Sequence, residues 1–169
     1  MTHPELAKKA LETYIKEKRA IDPPQDLSED CFTRKAGVFV TIEKNGELRG
    51  CIGTFKATKK NIAEEIIANA ISAGTDDYRF QHVEESELID ISCIVYILEE
   101  PKLVKDLKEL DAVKYGIIII SPGKFGLLLP DLDGIKTVDD QLAAACKKAD
   151  IDPGKENFAL YKFSAEKYK

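Results

Sequence analysis

The stretch GVFVTIEKNGELRGCIG, residues 37–53, holds two strand-like segments on either side of Asn45-Gly46. Asn-Gly favours the tight turns of β-hairpins because both residue types accept positive φ angles. Val, Ile, Phe and Thr dominate the first segment and are typical of strands. The pattern therefore predicts antiparallel strands over residues 37–42 and 47–52, and the rest of the fold is inferred outward from this hairpin.

Two registers of the hairpin are compatible with the sequence. A two-residue loop sets Val40 opposite Cys51. A three-residue loop over residues 44–46 sets Val40 opposite Gly50 instead. A slip of one residue exchanges the two faces of a strand, and the three-residue loop separates apolar from polar side chains better. We predict that register, which places Arg49 and Cys51 on the less apolar face.

Helix signals lie on both sides of the hairpin. A capping box at residues 2–5 and an apolar stripe as far as Ala20 predict a first helix. Thr58 or Asn61 can cap a second helix, for which Gly74 is expected to be the left-handed C-terminal cap.

The second half of the chain alternates strands with one more helix. Four strands are predicted there, over residues 89–98, 115–120, 125–129 and 158–163. A helix is predicted over residues 138–149, and residues 103–110 form a short helix or an irregular connection. Hairpins rather than regular βαβ units favour an α+β fold, with a mostly antiparallel or mixed sheet and flanking helices.

Composition limits the classes of protein and of metal site. The chain has 169 residues, a net charge of −5 and 44% hydrophobic residues, which is typical of a folded domain. It shows no signal-like apolar run and no segment of the ~20 apolar residues that span a bilayer, so we expect a cytoplasmic protein. The four cysteines form no C-x-x-C pair and only two histidines are present, so a zinc site is disfavoured and no metal ligand set or cofactor is identified.

Charge also bears on nucleic acid as a partner. The acidic balance disfavours a surface that follows phosphates, although Lys56, Lys59 and Lys60 form a short basic run after the hairpin. Three lysines before a helix more often form a solvated face. Nucleic acid is therefore disfavoured as a partner, but it is kept as an alternative.

The second hairpin strand carries the main candidate chemistry. Arg49 and Cys51 are two residues apart on one strand, so their Cβ atoms lie roughly 6–7 Å apart. A guanidinium over a thiol stabilises the thiolate and raises the fraction of nucleophile. Gly50 and Gly53 would let a ligand approach the backbone. The alternative is an ordinary strand with a small Cys, a surface Arg and glycines at a bulge, and physical chemistry alone favours that interpretation.

Several stretches resemble one family in order and spacing. LRGCIG at residues 48–53 is similar to the signature of the AMMECR family. Further matches lie at residues 37–42 (GVFVTI), 77–80 (DYRF, where the family tends to have Asp-Pro-Arg-Phe), 126–131 (GLLLPD) and 146–152 (CKKADID). The resemblance covers almost the whole chain.

The resemblance implies a single AMMECR-like domain over residues 1–169, with a larger and a smaller lobe and characteristic residues around a ligand-binding cleft. It gives no settled reaction for the family. Its bacterial members are encoded near a Memo-like protein and a radical SAM protein, which implies those two as partners in a shared pathway. Whether the protein is an enzyme stays open, and the alternative is a non-catalytic adaptor that acts with such partners.

Three features depart from the family pattern, and one is the absence of the tryptophan that is usual near residues 137–139. Tyr115-Gly116 stands where many members have His-Gly, and Asp131 stands where they have Gln. Tyrosine is a poor base near neutral pH, so a Cys–His mechanism lacks its histidine here. His82 is another candidate base, although a loop histidine is more often solvated.

The site hypothesis gives each residue a role. Cys51 is the candidate nucleophile or redox thiol, and Arg49 is the anion anchor. Asp77 and Arg79 form either a polar wall that orients a ligand or a structural salt bridge. The predicted ligand-binding residues are Arg49, Gly50, Gly53, Asp77, Arg79, Tyr115 and Asp131.

Overall fold

A computed structural model describes residues 1–169 and shows two compact units. The first unit comprises residues 1–98 with 166–169, and the second comprises residues 99–165. Each unit contains one four-stranded sheet, and every strand pairing resolved residue by residue is antiparallel. The α+β prediction is confirmed. No helix combines the length and the apolar character needed to cross a membrane.

The chain order of helices and strands is α1 (His3–Glu17), α2 (Asp30–Thr33), β1 (Gly37–Lys44), β2 (Glu47–Gly53), α3 (Ile62–Thr75), β3 (Ile91–Leu98), β4 (Lys102–Leu103), β5 (Gly116–Ser121), β6 (Lys124–Leu128), α4 (Val138–Ala149), β7 (Ala159–Phe163) and β8 (Ala165–Tyr168). Short 3-10 helices span Glu85–Asp90 and Leu107–Glu109. The strand order is β2-β1-β3-β8 in the first unit and β4-β7-β5-β6 in the second.

Helix α1 begins at the predicted capping box. The hydroxyl of Thr2 accepts from the backbone N–H of Glu5, and the Glu5 carboxylate accepts from the backbone N–H of Thr2 at 2.7 Å. The predicted end at Ala20 is wrong. Lys18 adopts φ 56° and ends the helix at Glu17, before the prolines are reached.

Helix α3 is capped by Asn61, whose side chain accepts from the backbone N–H of Glu64. The predicted role of Gly74 as a left-handed cap is wrong, since this glycine lies inside the helix. A Cβ there would lie 2.4 Å from Cδ1 of Leu11 on α1. Gly74 therefore allows α1 and α3 to approach closely, and it has no role in ending α3.

The predicted hairpin register is wrong, and a β-bulge explains why. Asn45 and Gly46 both have positive φ and form a two-residue turn, so Glu43 pairs with Leu48. Beyond the bulge Ile42 pairs with Gly50, which leaves Arg49 without a cross-strand partner. Val40 consequently lies opposite Ile52 rather than Gly50.

The bulge nevertheless restores the predicted separation of faces. Val38, Val40 and Ile42 are fully buried in the first core. Thr41 and Cys51 face each other across the other side of the hairpin. Strand β3 begins two residues later than predicted, because Ile89 lies in a 3-10 helix and is 86% exposed.

In the second unit, β5 is a central strand between β7 and β6, as predicted. Helix α4 matches its predicted bounds and begins with a capping box of Thr137 and Asp140. The core of this unit is formed by apolar residues from the sheet, the helix and a connecting loop, among them Leu110, Ile117, Ile119, Ala145 and Leu160. The short strands β4 and β8 are absent from the predicted elements.

Candidate functional site

Arg49, the bulged residue of β2, ties the loop at residues 76–90 to the hairpin. Its Nε and Nη2 donate to the two carboxylate oxygens of Glu87 at 2.9 and 2.8 Å. Its Nη1 donates to the carbonyl of Gln81 at 2.8 Å, and Nη2 also donates to the carbonyl of His82 at 3.2 Å. The guanidinium thus crosslinks three points of the loop, and its side chain is only 15% exposed.

Glu87 is the acceptor at the centre of this cluster. Besides the guanidinium of Arg49, it accepts from Lys44 Nζ at 3.0 Å and from the backbone N–H of Glu84 at 2.9 Å. The hydrogen bonds from Arg49, supported by those from Glu84 and Lys44, lower the pKa of Glu87 to about 2. The carboxylate is therefore ionised at neutral pH, and it balances the charge of Arg49.

Asp77 makes a second tie between the same loop and β2. Its Oδ2 accepts from the backbone N–H of Cys51 at 2.9 Å. Arg79 donates to both carboxylate oxygens, from Nε at 2.9 Å and from Nη2 at 2.7 Å. These bonds, chiefly those from Arg79, lower the pKa of Asp77 to about 2, and its side chain is 3% exposed. The predicted Asp77–Arg79 salt bridge is present, and a role in orienting a ligand stays a prediction.

Cys51 lies beside the cation of Arg79. Arg79 Nη2 lies 3.5 Å from the Cys51 carbonyl oxygen, within hydrogen-bond range. The hydrogen bonds to Asp77 are the main cause that raises the pKa of Arg79, and attraction to a Cys51 thiolate adds to them. The hydroxyl of Thr41, the cross-strand neighbour, donates to Cys51 Sγ at 3.3 Å. A hydroxyl donor therefore lies next to this sulfur, and a cation lies within hydrogen-bond range of the carbonyl oxygen of the same residue.

The two glycines of the site are required by packing within the protein. A Cβ on Gly50 would lie 2.2 Å from the carbonyl oxygen of Ala73, on helix α3. A Cβ on Gly53 would lie 2.2 Å from the ring of Phe39, its cross-strand partner. Glycine is needed at both positions so that the helix and the aromatic ring can approach β2. Contact of either glycine with a ligand stays a prediction.

The four cysteines differ in their surroundings, and no disulfide links them. Cys51 is half-buried, whereas Cys31, Cys93 and Cys146 are buried. Burial raises the pKa of Cys93 to about 12 and also raises the pKa of Cys146. Among the four thiols, only that of Cys51 is partly open to solvent.

Tyr115 and Asp131 belong to the second unit. The ring of Tyr115 has the ammonium groups of Lys114 and Lys162 at 5.2 and 5.1 Å from its centroid, within cation–π range. Asp131 has φ 54°, in the loop after β6. Their predicted contact with a ligand stays a prediction.

Two polar partners at the site are absent from the predicted site residues. Glu87 pairs with Arg49 across 38 positions of sequence, and several acidic residues of the same loop offer equal alternatives. Thr41 donates to Cys51, and this contact can be predicted from the pairing of the two hairpin strands. Once the bulge is known, the residue opposite Cys51 follows directly.

Comparison with known proteins places the chain in one group. The AMMECR1 family model matches residues 4–168. A protein from Thermotoga maritima is 45% identical over 162 residues, which cover 95% of this chain and 93% of that protein. A longer protein from Clostridium acetobutylicum is 46% identical over 165 residues, covering 97% of this chain but 35% of its own length.

A solved structure shows the same fold. The crystal structure of an uncharacterized protein from Pyrococcus horikoshii aligns with a TM-score of 0.90 and 31% sequence identity, covering 98% of this chain and 88% of that chain. Both the sequence match along nearly all residues and the structural likeness agree with the predicted resemblance to the AMMECR family. The chain belongs to the AMMECR1 family.

Proposed function

We propose that the surface around Cys51 is a ligand-binding site in which the Cys51 thiol acts as a nucleophile or redox group. One observation carries the proposal: the single partly open thiol of the chain belongs to a residue whose carbonyl oxygen lies 3.5 Å from a guanidinium that a buried carboxylate holds in place. Thiolates, and not thiols, are the reactive form, and a neighbouring cation favours the thiolate.

Arg79 supplies that cation. Its bidentate pairing with Asp77 fixes the guanidinium plane before any ligand arrives, so little reorganisation is needed on binding. The side chain is 45% exposed, which leaves part of the guanidinium open to an anionic group of a ligand. The carboxylate of Asp77 is largely neutralised by Arg79 and accepts from the Cys51 amide, which limits its repulsion of a thiolate.

Arg49 has a structural role in the proposed site. All three of its nitrogens already donate to Glu87 or to loop carbonyls, so its first role is to hold the loop that carries Asp77 and Arg79. An anion could reach Arg49 only in competition with Glu87. We therefore assign the first contact with an anionic group to Arg79.

The test is alkylation by iodoacetamide at pH 7, followed residue by residue with mass spectrometry. We expect Cys51 to react in the native protein and Arg79→Gln to slow it about tenfold, because loss of an adjacent cation reduces the thiolate fraction. Arg34→Gln is the matched control, since Arg34 belongs to the same unit but pairs with Glu166. Equal rates in the wild type and in Arg79→Gln would remove the proposed thiolate site.

A non-catalytic adaptor is the second candidate, with Memo-like and radical SAM proteins as partners. The observation in its favour is that Tyr78 and Ile89 are 94% and 86% exposed and lie on the loop that Arg49 and Asp77 tie to β2. Large apolar side chains on an ordered loop suit protein contact.

This alternative is tested by measuring whether a purified Memo-like protein and a purified radical SAM protein bind this protein. An adaptor predicts that Tyr78→Ser with Ile89→Ser abolishes binding, whereas Cys51→Ser keeps full biological activity. Loss of activity in Cys51→Ser, with partner binding unchanged in the doubly substituted protein, would leave only the thiol proposal.

A further inference from the structure

Four exposed lysines lie on two segments of the first unit, together called here the lysine surface: Lys35, Lys56, Lys59 and Lys60. None of them takes part in an ion pair, whereas lysines such as Lys44 and Lys124 pair with carboxylates. The protein as a whole carries a net charge of −5. An unneutralised positive surface on an acidic protein is therefore a local feature that contrasts with the rest of the chain.

The loop that carries three of these lysines is held by a buried carboxylate. Glu65, on α3, is 1% exposed, and its two oxygens accept four hydrogen bonds from the loop. The donors are the hydroxyl of Thr54, the hydroxyl and backbone N–H of Thr58, and the backbone N–H of Lys59, at 2.7 to 2.8 Å. Burial opposes ionisation, but these hydrogen bonds together hold the pKa of Glu65 below its ordinary value.

Two contacts bring Lys35 beside this loop. The backbone N–H of Ile62 donates to the carbonyl of Arg34 at 3.0 Å. A Cβ on Gly37 would lie 2.5 Å from the carbonyl oxygen of Thr54, so the chain at residues 34–37 runs against the loop. The four lysines thus belong to neighbouring segments whose backbones contact each other.

We infer that the lysine surface binds an acidic segment of a partner protein. Lysine ammonium groups are compact point charges that suit carboxylates without demanding a fixed geometry. The ~8 Å screening length at physiological salt weakens the repulsion of such a segment by acidic groups on remote parts of the protein. A short acidic segment can contact this surface alone.

Features typical of a nucleic-acid site are not built here. The backbone N–H groups of Thr58 and Lys59 point into Glu65 and cannot cradle a phosphate. Phe55 is half-buried with Lys56 Nζ 5.7 Å from its ring centroid, so a base stacking on this ring would compete with that ammonium group. The nearby Arg34 is paired with Glu166.

The test compares two labelled anions by fluorescence anisotropy at about 50 mM and about 200 mM salt. One is a fluorescein-labelled peptide of alternating Glu and Ser, and the other is an oligothymidine of similar length. The variant replaces all four lysines of the surface by Ser. The matched control replaces four exposed lysines elsewhere that form no ion pair: Lys16, Lys105, Lys108 and Lys136.

We expect the acidic peptide to bind the wild type, to weaken with salt, and to bind the lysine-surface variant about tenfold more weakly. The control variant should stay within about twofold of the wild type. Glu65→Gln keeps every lysine but releases the loop, so we expect a loss of affinity for the peptide between those of the control and the lysine-surface variant. Circular dichroism checks that this variant is folded.

Three results would overturn the inference. These are equal losses in the variant and the control, tighter binding of oligothymidine than of the peptide, and no binding of the peptide to the wild type at low salt. A nucleic-acid surface would be the conclusion from the second result. All of these readouts are independent of Cys51 and therefore of the proposed thiol site.

Discussion

Cys51 and Cys93 lie on the same sheet of the first unit, two strands apart, and have opposite surroundings. Cys93 is on β3, an inner strand, where burial raises its pKa to about 12. Cys51 is on β2, at the edge of the sheet, with Thr41, Asp77 and Arg79 around it. The position of a strand in the sheet, and not the residue type, decides whether its thiol is inert or available.

The edge position explains why charged groups lie near Cys51. An edge strand presents N–H and C=O groups that no further strand can satisfy, and proteins cover such edges. Here the N–H of Cys51 donates to Asp77, and its C=O lies within hydrogen-bond range of Arg79. The loop that covers the edge thus also places a guanidinium beside the backbone of Cys51, so protection of the edge and construction of the candidate site use the same residues.

The largest expected effect is the difference in native reactivity between the two cysteines. Cys93 should react with a thiol reagent only when the core opens, so we expect it to be protected about 1,000-fold or more relative to Cys51. Timed alkylation of the native protein with mass spectrometry measures both rates at once. Comparable rates for Cys51 and Cys93 would contradict the contrast between edge and inner strand.

On the face of β2 that packs on α3, an increase in side-chain volume is expected to lower the stability of the protein as much as it would on an interior strand. Gly50→Ala forces a methyl group against the carbonyl of Ala73, so we expect a loss of about 3 kcal/mol in the free energy of unfolding. Gly46→Ala is the control. Its φ is +83° in open space, which costs only about 1 kcal/mol. Urea unfolding gives both values, and a larger loss at Gly46 would argue against close packing at Gly50.

Removing the contacts of Arg49 that hold the bulge to its loop should have the next largest effect. Arg49→Met removes the bidentate partner of Glu87 and leaves loop carbonyls without donors, so we expect a loss of about 2 kcal/mol. Lys44→Met removes a more exposed partner of the same carboxylate and should cost about 0.5 kcal/mol. Equal losses from urea unfolding would mean that Arg49 does not anchor the loop.

A smaller effect is expected from acid. The pKa of Asp77 is about 2 in the folded protein against an ordinary value of 3.8, so its ionised form stabilises the fold above about pH 4. That contribution is lost as the pH falls from about 4 towards 2. Between pH 7 and pH 3 the wild type should lose about 1 kcal/mol more than Asp77→Asn. Parallel stability curves for the two proteins would show that Asp77 is not held ionised by its partners.

The local features of the fold could be predicted from the sequence, because they depend on neighbours in the chain. The Asn45-Gly46 turn, the cap at residues 2–5 and the central strand β5 all follow from residues a few positions apart. The register could not be predicted in the same way. A bulge at Arg49 adds one unpaired residue, and periodicity alone cannot separate that from a longer turn.

The candidate site follows the same division: residues close together in the chain can be predicted, and contacts between distant residues cannot. Strand alternation and a family resemblance single out Arg49 and Cys51, but the partner of Arg49 depends on a loop contact 38 residues away. The local sequence favours Gly74 as a cap, whereas the structure uses this glycine for the close approach of α1 to α3. Tertiary packing decides such positions, and no local pattern reports it.

The most direct test of the account is the pH dependence of Cys51 alkylation in the wild type and in Arg79→Gln. If the guanidinium beside the thiol favours the thiolate, the wild-type rate should reach half its maximum about one pH unit lower than the rate of Arg79→Gln. Superimposed profiles, or a lower midpoint in the variant, would contradict the claim that Arg79 prepares Cys51 for chemistry.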